Sequence, residues 1–194
     1  ASDDAAGLAI ATELNSRVSG LNQAVRNVND GISMVQIMEG TYDEVTSILQ
    51  RMRDMAVQAA NGSLSSTEQG YLETEQTALQ SALNDALEQA TFSNIDLADN
   101  TSASVISISI QAGSNTGDAV SIALTSANAS NASGLGITAI DLSSDASAAI
   151  GLADAAIGHV ATQRAQLGAY QAQLESTVRN LSNVAENTAA AAGR

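Results

Sequence analysis

Residues 14–35, "LNSRVSGLNQAVRNVNDGISMV", decide the fold because their apolar positions recur in alternating steps of four and three. The column consists of Leu14, Val18, Leu21, Val25, Val28, Ile32 and Val35. This heptad spacing places the side chains on one stripe of an α-helix, and such a stripe is stable only when another helix covers it. The stretch therefore predicts a helix that belongs to a bundle or a coiled coil.

The apolar column continues after Val35 with a change of phase. Its second part consists of Met38, Tyr42, Val45, Leu49, Met52, Ala56 and Ala59, and it begins with a step of three where four is due. A skip of this kind overwinds a coiled coil locally without ending the helix. With Asp3 or Asp4 as the N-cap, we expect one long helix over residues 1–61. Three glycines lie inside it, and we expect another helix to approach closely at each: Gly20, Gly31 and Gly40.

Two further helices are predicted. Ser65 and Glu68 form a Ser-x-x-Glu capping box that begins a second helix over residues 65–91. A third helix is expected over residues 146–192, with its own column of apolar residues in steps of three and four. Arg164 and Gln171 interrupt that column, and we expect these polar residues to fix the register of the helix.

The segment between the second and third helices has a period of two. In residues 104–124 apolar residues alternate with small polar ones on both sides of the turn "GSNTGD", which predicts a β-hairpin with one apolar face. Residues 125–145 are small and polar, and we expect a connecting loop whose short apolar patch, residues 135–142, tucks against the helices. The predicted fold is mainly α, a single domain over residues 1–194. We expect an elongated antiparallel helical bundle or coiled-coil rod of three long helices with a small β-hairpin at one end.

Composition excludes several classes of function. The chain has seven basic residues, all arginine, against twenty-one acidic ones, and its net charge of −14 makes nucleic acid and anionic membranes poor partners. No apolar run approaches the roughly 20 residues of a membrane span. Without lysine, "GSNTGD" is no phosphate loop, and without cysteine there is no thiolate metal site. The single His159 has no obvious catalytic partner, so we expect neither an enzyme, a metal nor a cofactor.

One face of the first helix points away from its apolar column. At about 100° per residue, Arg51, Asp54, Met55 and Gln58 share a face turned roughly 130° from that column. The pattern alone is compatible with an ordinary solvated face and with a surface that binds a partner.

Five stretches of the sequence closely resemble bacterial flagellin. They are "SDDAAGLAI" (2–10), "GLNQAVRNVNDGISMVQIMEG" (20–40), "LQRMRDMAVQAANG" (49–62), "IQAGSNTGDAVSI" (110–122) and "LGAYQAQLESTVRNLSNVAEN" (167–187). The resemblance implies a structural subunit of the flagellar filament that self-assembles into a helical tube for swimming. It also implies export through the flagellar type III channel, an export chaperone, a filament cap and an extracellular location. Relative to the family pattern, we expect the terminal inner-tube segments to be missing and the variable central insert to be reduced to residues 125–145.

The resemblance further implies a contact surface on the first two helices. In flagellins this surface meets neighbouring subunits and is also recognised by Toll-like receptor 5. The corresponding residues here are Gln50, Arg51, Asp54, Met55, Gln58, Glu75 and Leu79. Met55 stands where the family usually has Leu, and Leu79 stands where receptor-activating members often carry Arg. These two departures count against receptor recognition and leave assembly as the expected role.

Two other readings remain compatible with the sequence. A hook-filament junction protein shares the helical ends of flagellin but fewer of its sequence motifs. A secreted coiled-coil adhesin or carbohydrate-binding module would use the predicted hairpin as its binding element.

Overall fold

The computed structural model describes residues 5–98, 106–124, 135–137, 140–143 and 145–193. Three helices lie in this part of the chain: α1 (Ala5–Ala59), α2 (Ser66–Glu88) and α3 (Ala146–Ala192). The expected caps Asp3 and Asp4, the first two residues of the predicted hairpin and most of the predicted loop over 125–145 fall outside it. The mainly α class with three helices and a small hairpin is confirmed.

Four short strands form two separate two-stranded sheets within the described residues. The predicted hairpin consists of β3 (Ile106–Gln111) and β4 (Ala119–Leu124). A second, smaller hairpin of β1 (Thr91–Phe92) and β2 (Ile95–Asp96) follows α2 and was not predicted. Its two turn residues, Ser93 and Asn94, have positive φ angles of 49° and 64°, as a type I′ turn requires.

The described chain divides into two compact units. The first contains α1 up to Val35, hairpin residues 107–122 and α3 from Gly168 onward. Its core includes the buried residues Leu21, Ala24, Val28, Met34, Val35, Ile110, Ile122, Leu174, Leu181 and Ala185. Other members of the predicted column, such as Val25 and Ile32, are only half-buried.

The hairpin, rather than a helix, lies closest to two of the glycines of α1. A Cβ atom on Gly20 would stand 3.2 Å from Ser114 Cβ, and one on Gly31 would stand 3.0 Å from Ile110 Cδ1. Gly31 also lies near Leu174 of α3, at 3.5 Å from Cδ1, whereas a Cβ on Gly40 would meet nothing within 4 Å. The expected helix approach is therefore wrong at Gly20 and Gly40, because the first glycine accommodates the hairpin and the last is open.

The second unit contains the rest of α1, α2, the small hairpin and α3 up to Leu167. Here the predicted column of α1, from Met38 to Ala59, is buried at every position. The other helices and the connecting segment contribute Leu83, Leu87, Leu135, Ile137, Ile140, Leu142, Ala153, Val160 and Leu167. The core of this unit therefore consists mainly of aliphatic and methionine side chains, with Tyr42 as a buried aromatic residue.

Hydrogen bonds anchor α2 at its start and along one side. Ser65 is the N-cap: its backbone N–H donates to Glu68 Oε2 at 2.8 Å, and the Glu68 N–H donates to Ser65 Oγ at 3.3 Å. The Ser65 hydroxyl also donates to Glu68 Oε2 at 2.7 Å. This bond, and after it the bond from the Ser65 backbone N–H, lowers the pKa of Glu68, because both favour the charged carboxylate. Further along, Gln80 Nε2 donates to the Ile137 carbonyl at 2.9 Å, and Glu73 Oε2 accepts from the Leu142 N–H at 2.9 Å. The apolar patch of the connecting segment is therefore held against α2, as predicted.

Two polar side chains are buried in the second unit without hydrogen-bond partners among the described residues. Gln76 of α2 is 0 % exposed and neither of its amide atoms is paired; the hydroxyl of Tyr42 is likewise buried and unpaired. Burial raises the pKa of Tyr42 to about 12. Such groups cost free energy because folding removes their hydrogen bonds to water.

Replacing Gln76 by leucine should stabilise the fold. We expect Gln76→Leu to raise the free energy of unfolding by about 1–3 kcal/mol, because it removes two unpaired buried polar atoms. The matched control is Gln80→Leu on the same helix, which should lower it by about 0.5–1.5 kcal/mol because a hydrogen bond is lost. Urea unfolding followed by circular dichroism measures both. A Gln76→Leu variant less stable than the wild type would show that this side chain is satisfied in solution.

The two glycine environments predict opposite effects of one substitution. Gly40→Leu should raise the free energy of unfolding by roughly 0.5–1 kcal/mol, because leucine is the better helix former and the site is open. Gly31→Leu should lower it by about 1–3 kcal/mol, because the new side chain overlaps Ile110 and Leu174. Equal effects at the two positions, measured by the same urea titration, would argue against the packing of the hairpin on Gly31.

Candidate functional site

An exposed ion pair joins α1 to α2 at the predicted contact surface. Arg51 donates from Nη2 and from Nε to the same oxygen, Glu75 Oε1, at 2.6 and 3.0 Å. The two side chains are 54 % and 44 % exposed, and exposed pairs of this kind contribute about 0–1 kcal/mol to folding. The structure thus brings together two of the predicted site residues at the surface, where they do little for the stability of the monomer.

Three more of the predicted residues form an exposed stripe beside Arg51. Gln50, Asp54 and Gln58 follow one another at intervals of four on α1, so they lie one above the other on the same side of the helix. We call the five exposed residues Gln50, Arg51, Asp54, Gln58 and Glu75 the Arg51 face. The face offers amide, carboxylate and guanidinium groups to a partner, with the buried core on the opposite side of α1.

The other two predicted residues are not on this exposed surface. Met55 is 0 % exposed, and Leu79 is half-buried. The expectation of an exposed Met55 is wrong because α1 is covered on two sides: Arg51 reaches α2, whereas Arg53, two residues later, reaches α3. The buried arc of α1 is therefore wider than a two-helix heptad column, and it includes Met55 on the side of α2.

Two further ion pairs connect α1 with α3 and were not predicted. Arg53 Nε lies 2.5 Å from Asp154 Oδ1, and Arg164 Nη2 lies 2.8 Å from Asp43 Oδ1. The hydrogen bond that Arg53 Nε donates to Asp154 Oδ1, together with the negative charge of Asp154, raises the pKa of Arg53. Arg164 is exposed and does not interrupt the buried column; the polar residue buried on α3 is its neighbour Gln163, which is 5 % exposed. The sequence signal for the first pair is the two-residue spacing of Arg51 and Arg53, which turns them to opposite edges of α1.

The described residues contain no arrangement typical of a metal or catalytic centre. No group of three or more His, Cys, Asp and Glu side chains is close enough to hold a metal ion. His159 is half-buried, its Nδ1 has no partner among the described residues, and burial lowers its pKa. None of the described helices has a stretch that is long and apolar enough to cross a membrane.

An open groove lies between the first turns of α1 and the tip of the larger hairpin. Its polar lining includes Thr12, Glu13, Arg17, Ser114 and Asn115, all of them exposed. A ligand site usually has some polar groups that are buried and aimed at the ligand. The groove therefore gives no support to the carbohydrate-binding alternative.

Two family models match most of the chain. The model described as the bacterial flagellin N-terminal helical region matches residues 1–103, and that of the bacterial flagellin C-terminal helical region matches residues 150–194. The Arg51 face lies entirely within the first match.

Curated relatives agree along the whole chain. The flagellin of Halalkalibacterium halodurans is 39 % identical over 196 residues, covering 100 % of this chain and 71 % of the relative. The flagellar filament 31.3 kDa core protein of Treponema maltophilum is 35 % identical over 203 residues, covering 98 % and 71 %.

Solved structures give the same fold. The crystal structure of Bacillus cereus flagellin superposes with a TM-score of 0.66 at 26 % identity, covering 86 % of this chain and 94 % of that one. A putative flagellar hook-associated protein from Vibrio parahaemolyticus superposes with a TM-score of 0.78 over 99 % of this chain and 98 % of that one. Its identity is only 16 %, so this likeness concerns the fold alone.

The environment of His159 predicts a pH dependence of stability. Its pKa in the folded protein is lowered from 6.5, so the unfolded chain binds the proton more readily. The contribution of the neutral His159 to the free energy of unfolding is therefore fully present above pH 6.5. It is lost as the pH falls through the lowered pKa of His159 in the folded protein. Urea titrations from neutral pH down to the onset of carboxylate titration should show a steeper loss of stability for the wild type than for His159→Gln. Parallel pH profiles of the two proteins would contradict the buried environment of the imidazole.

Proposed function

The chain belongs to the bacterial flagellin family, and from that premise we propose that its Arg51 face is a contact between neighbouring subunits of the flagellar filament. As a member of this family, it is a structural protein and not an enzyme, and its function is to form the filament together with other flagellin subunits. The hook-filament junction protein and the adhesin are not favoured. The proposal concerns which residues make the contact.

The observation that carries the proposal is the exposed Arg51–Glu75 pair beside the stripe of Gln50, Asp54 and Gln58. All five side chains lie outside the monomer core. Gln50, Asp54 and Gln58 project from the side of α1 opposite its buried arc, and Arg51 lies at the edge of that arc, next to α2. The fork of Arg51 uses Nε and Nη2 on one oxygen of Glu75. That geometry leaves Arg51 Nη1 and Glu75 Oε2 to bond with a neighbouring subunit.

Assembly would change how much the Arg51–Glu75 pair contributes to the free energy. In water its two charges are screened and contribute little. Between two subunits the same charges would be partly desolvated, and a charge that loses its partner there typically costs about 2–5 kcal/mol. A face that is nearly neutral for folding can therefore be decisive for polymerisation.

We also propose the route and the location that the family resemblance implies. The chain would pass unfolded through the flagellar type III channel, with a chaperone before export and a cap at the growing end, and would reside outside the cell. The lack of cysteine is compatible with this route, because no disulfide has to be reduced before the chain unfolds.

Receptor recognition by the same face is the weaker proposal. Toll-like receptor 5 would find Met55 withdrawn into the core and an uncharged, half-buried Leu79 on α2. The receptor would therefore find fewer polar contacts on this chain than on a flagellin that carries an arginine at the position of Leu79. We therefore propose assembly, and not receptor activation, as the role of the Arg51 face.

Substitutions two residues apart test the proposal. Leu49→Ala should lower the free energy of unfolding of the monomer by about 2–5 kcal/mol, because Leu49 is fully buried. Arg51→Ala should change it by at most about 1 kcal/mol, because only an exposed ion pair is lost, yet it should strongly reduce polymerisation. Urea unfolding measures the first quantity, and sedimentation with electron microscopy measures the second.

The matched control is Arg53→Ala, which breaks the exposed pair with Asp154 at the other edge of α1. It removes the same charge, so normal polymerisation of this variant would exclude a general charge effect. An Arg51→Ala protein that unfolds as a monomer but forms filaments normally would overturn the assignment of this face.

A further inference from the structure

An exposed Asn-Gly dipeptide lies in the turn between α1 and α2. Asn61 and Gly62 form the only Asn-Gly pair of the sequence, and both residues are exposed. The Leu64 N–H donates to the Asn61 carbonyl at 3.1 Å, which closes a tight turn over these residues. The dipeptide is thus held in one local conformation at the surface.

The side chain of Asn61 is folded back over the following peptide bond. Asn61 Oδ1 accepts a hydrogen bond from the Ser63 backbone N–H at 3.2 Å, which is an Asx turn. This bond turns the Asn61 carboxamide toward the residues that follow it, so that its carbon faces the Asn61–Gly62 peptide bond. The Gly62 N–H donates no backbone hydrogen bond within the described residues, and nothing lies within 4 Å of the place where a Cβ would stand. The nitrogen is therefore unshielded.

We propose that Asn61–Gly62 is a site of spontaneous deamidation. The Gly62 backbone nitrogen gives its proton to water or hydroxide and attacks Asn61 Cγ, so that a bond forms between these two atoms. The bond from Cγ to Nδ2 breaks, and Nδ2 takes up a proton and leaves as ammonia. Water then opens the resulting succinimide at either carbonyl, which gives aspartate or isoaspartate. One water is consumed, one ammonia is released, and no oxidant or cofactor is needed.

The turn assists the first step of this reaction. When the Gly62 nitrogen attacks, negative charge develops on Asn61 Oδ1. The Ser63 N–H already points at that oxygen and stabilises the developing charge, in the way that an oxyanion-hole donor does. The folded turn therefore supplies both the proximity and a donor.

The product changes the charge and the backbone at the junction of two helices. A new carboxylate would add to a net charge of −14 and would lie just after the C-terminus of α1, where the helix dipole disfavours negative charge. Isoaspartate would also lengthen the main chain by one carbon, four residues before the N-cap Ser65. This chemistry goes beyond filament assembly and does not depend on it, and it would mark subunits by age.

The chain contains an internal control in Asn84. This residue lies inside α2 and is followed by Asp85, whose backbone nitrogen is held within the helix. Glu-specific cleavage releases residues 45–68, in which Asn61 is the only asparagine, and residues 76–88, in which Asn84 is the only one. The two sites can therefore be compared in a single digest.

The experiment is an incubation of the purified protein at mildly alkaline pH, with samples taken over days. Each sample is digested at acidic pH with the Glu-specific protease and analysed by mass spectrometry, and isoaspartate is measured by enzymatic methyl labelling. We expect peptide 45–68 to gain the mass of an NH₂-to-OH exchange and to become labelled, with peptide 76–88 unchanged. Gly62→Ala should lose most of the conversion, because its added methyl group hinders the attack. This variant should fold normally, because Gly62 has an ordinary φ and open space around it.

Two results would overturn the proposal. One is a peptide 45–68 that keeps its mass as long as peptide 76–88 does. The other is conversion in Gly62→Ala at the wild-type rate.

Discussion

Burial of the apolar column of α1 is the constraint on which the rest of the structure depends. Val28 and Val35 anchor the first compact unit, and the positions from Met38 to Ala59 line the second. Three other elements contact this helix: the larger hairpin lies against Gly20 and Gly31, while α2 and α3 flank its later turns. The ion pairs at the edges of α1 are exposed and contribute little, so burial of apolar side chains is the main stabilising interaction.

Features encoded by neighbouring residues could be predicted from the sequence, and features that depend on distant neighbours could not. The heptad steps, the capping box of Ser65 and the alternating hairpin strands are local patterns, and each appears in the structure. The sequence does not indicate which element meets a given side chain. Gly20 lies against the larger hairpin, Gly40 has open space around it, and the polar Gln76 is fully buried. Their environments are set by tertiary contacts, which override local propensity.

The candidate site shows the same division. The helical wheel places Gln50, Arg51, Asp54 and Gln58 outside the apolar column, and all four are exposed. It fails for Met55, because a single column of apolar residues does not reveal that two helices flank α1. The inward residues of α1 thus stabilise the folded monomer. The exposed residues of the Arg51 face contribute little to that stability and remain accessible to a partner. Family membership establishes the filament, and the exposed Arg51–Glu75 pair supports the proposal that this face connects its subunits.

Cryo-electron microscopy of filaments that contain this chain would show directly whether the Arg51 face is a subunit contact. We expect side chains of a neighbouring subunit to lie within hydrogen-bond distance of Arg51 or Glu75 and to cover Gln50, Asp54 and Gln58. A filament map in which these five side chains face open solvent, with the neighbouring subunits meeting elsewhere on α1 or α2, would contradict this expectation.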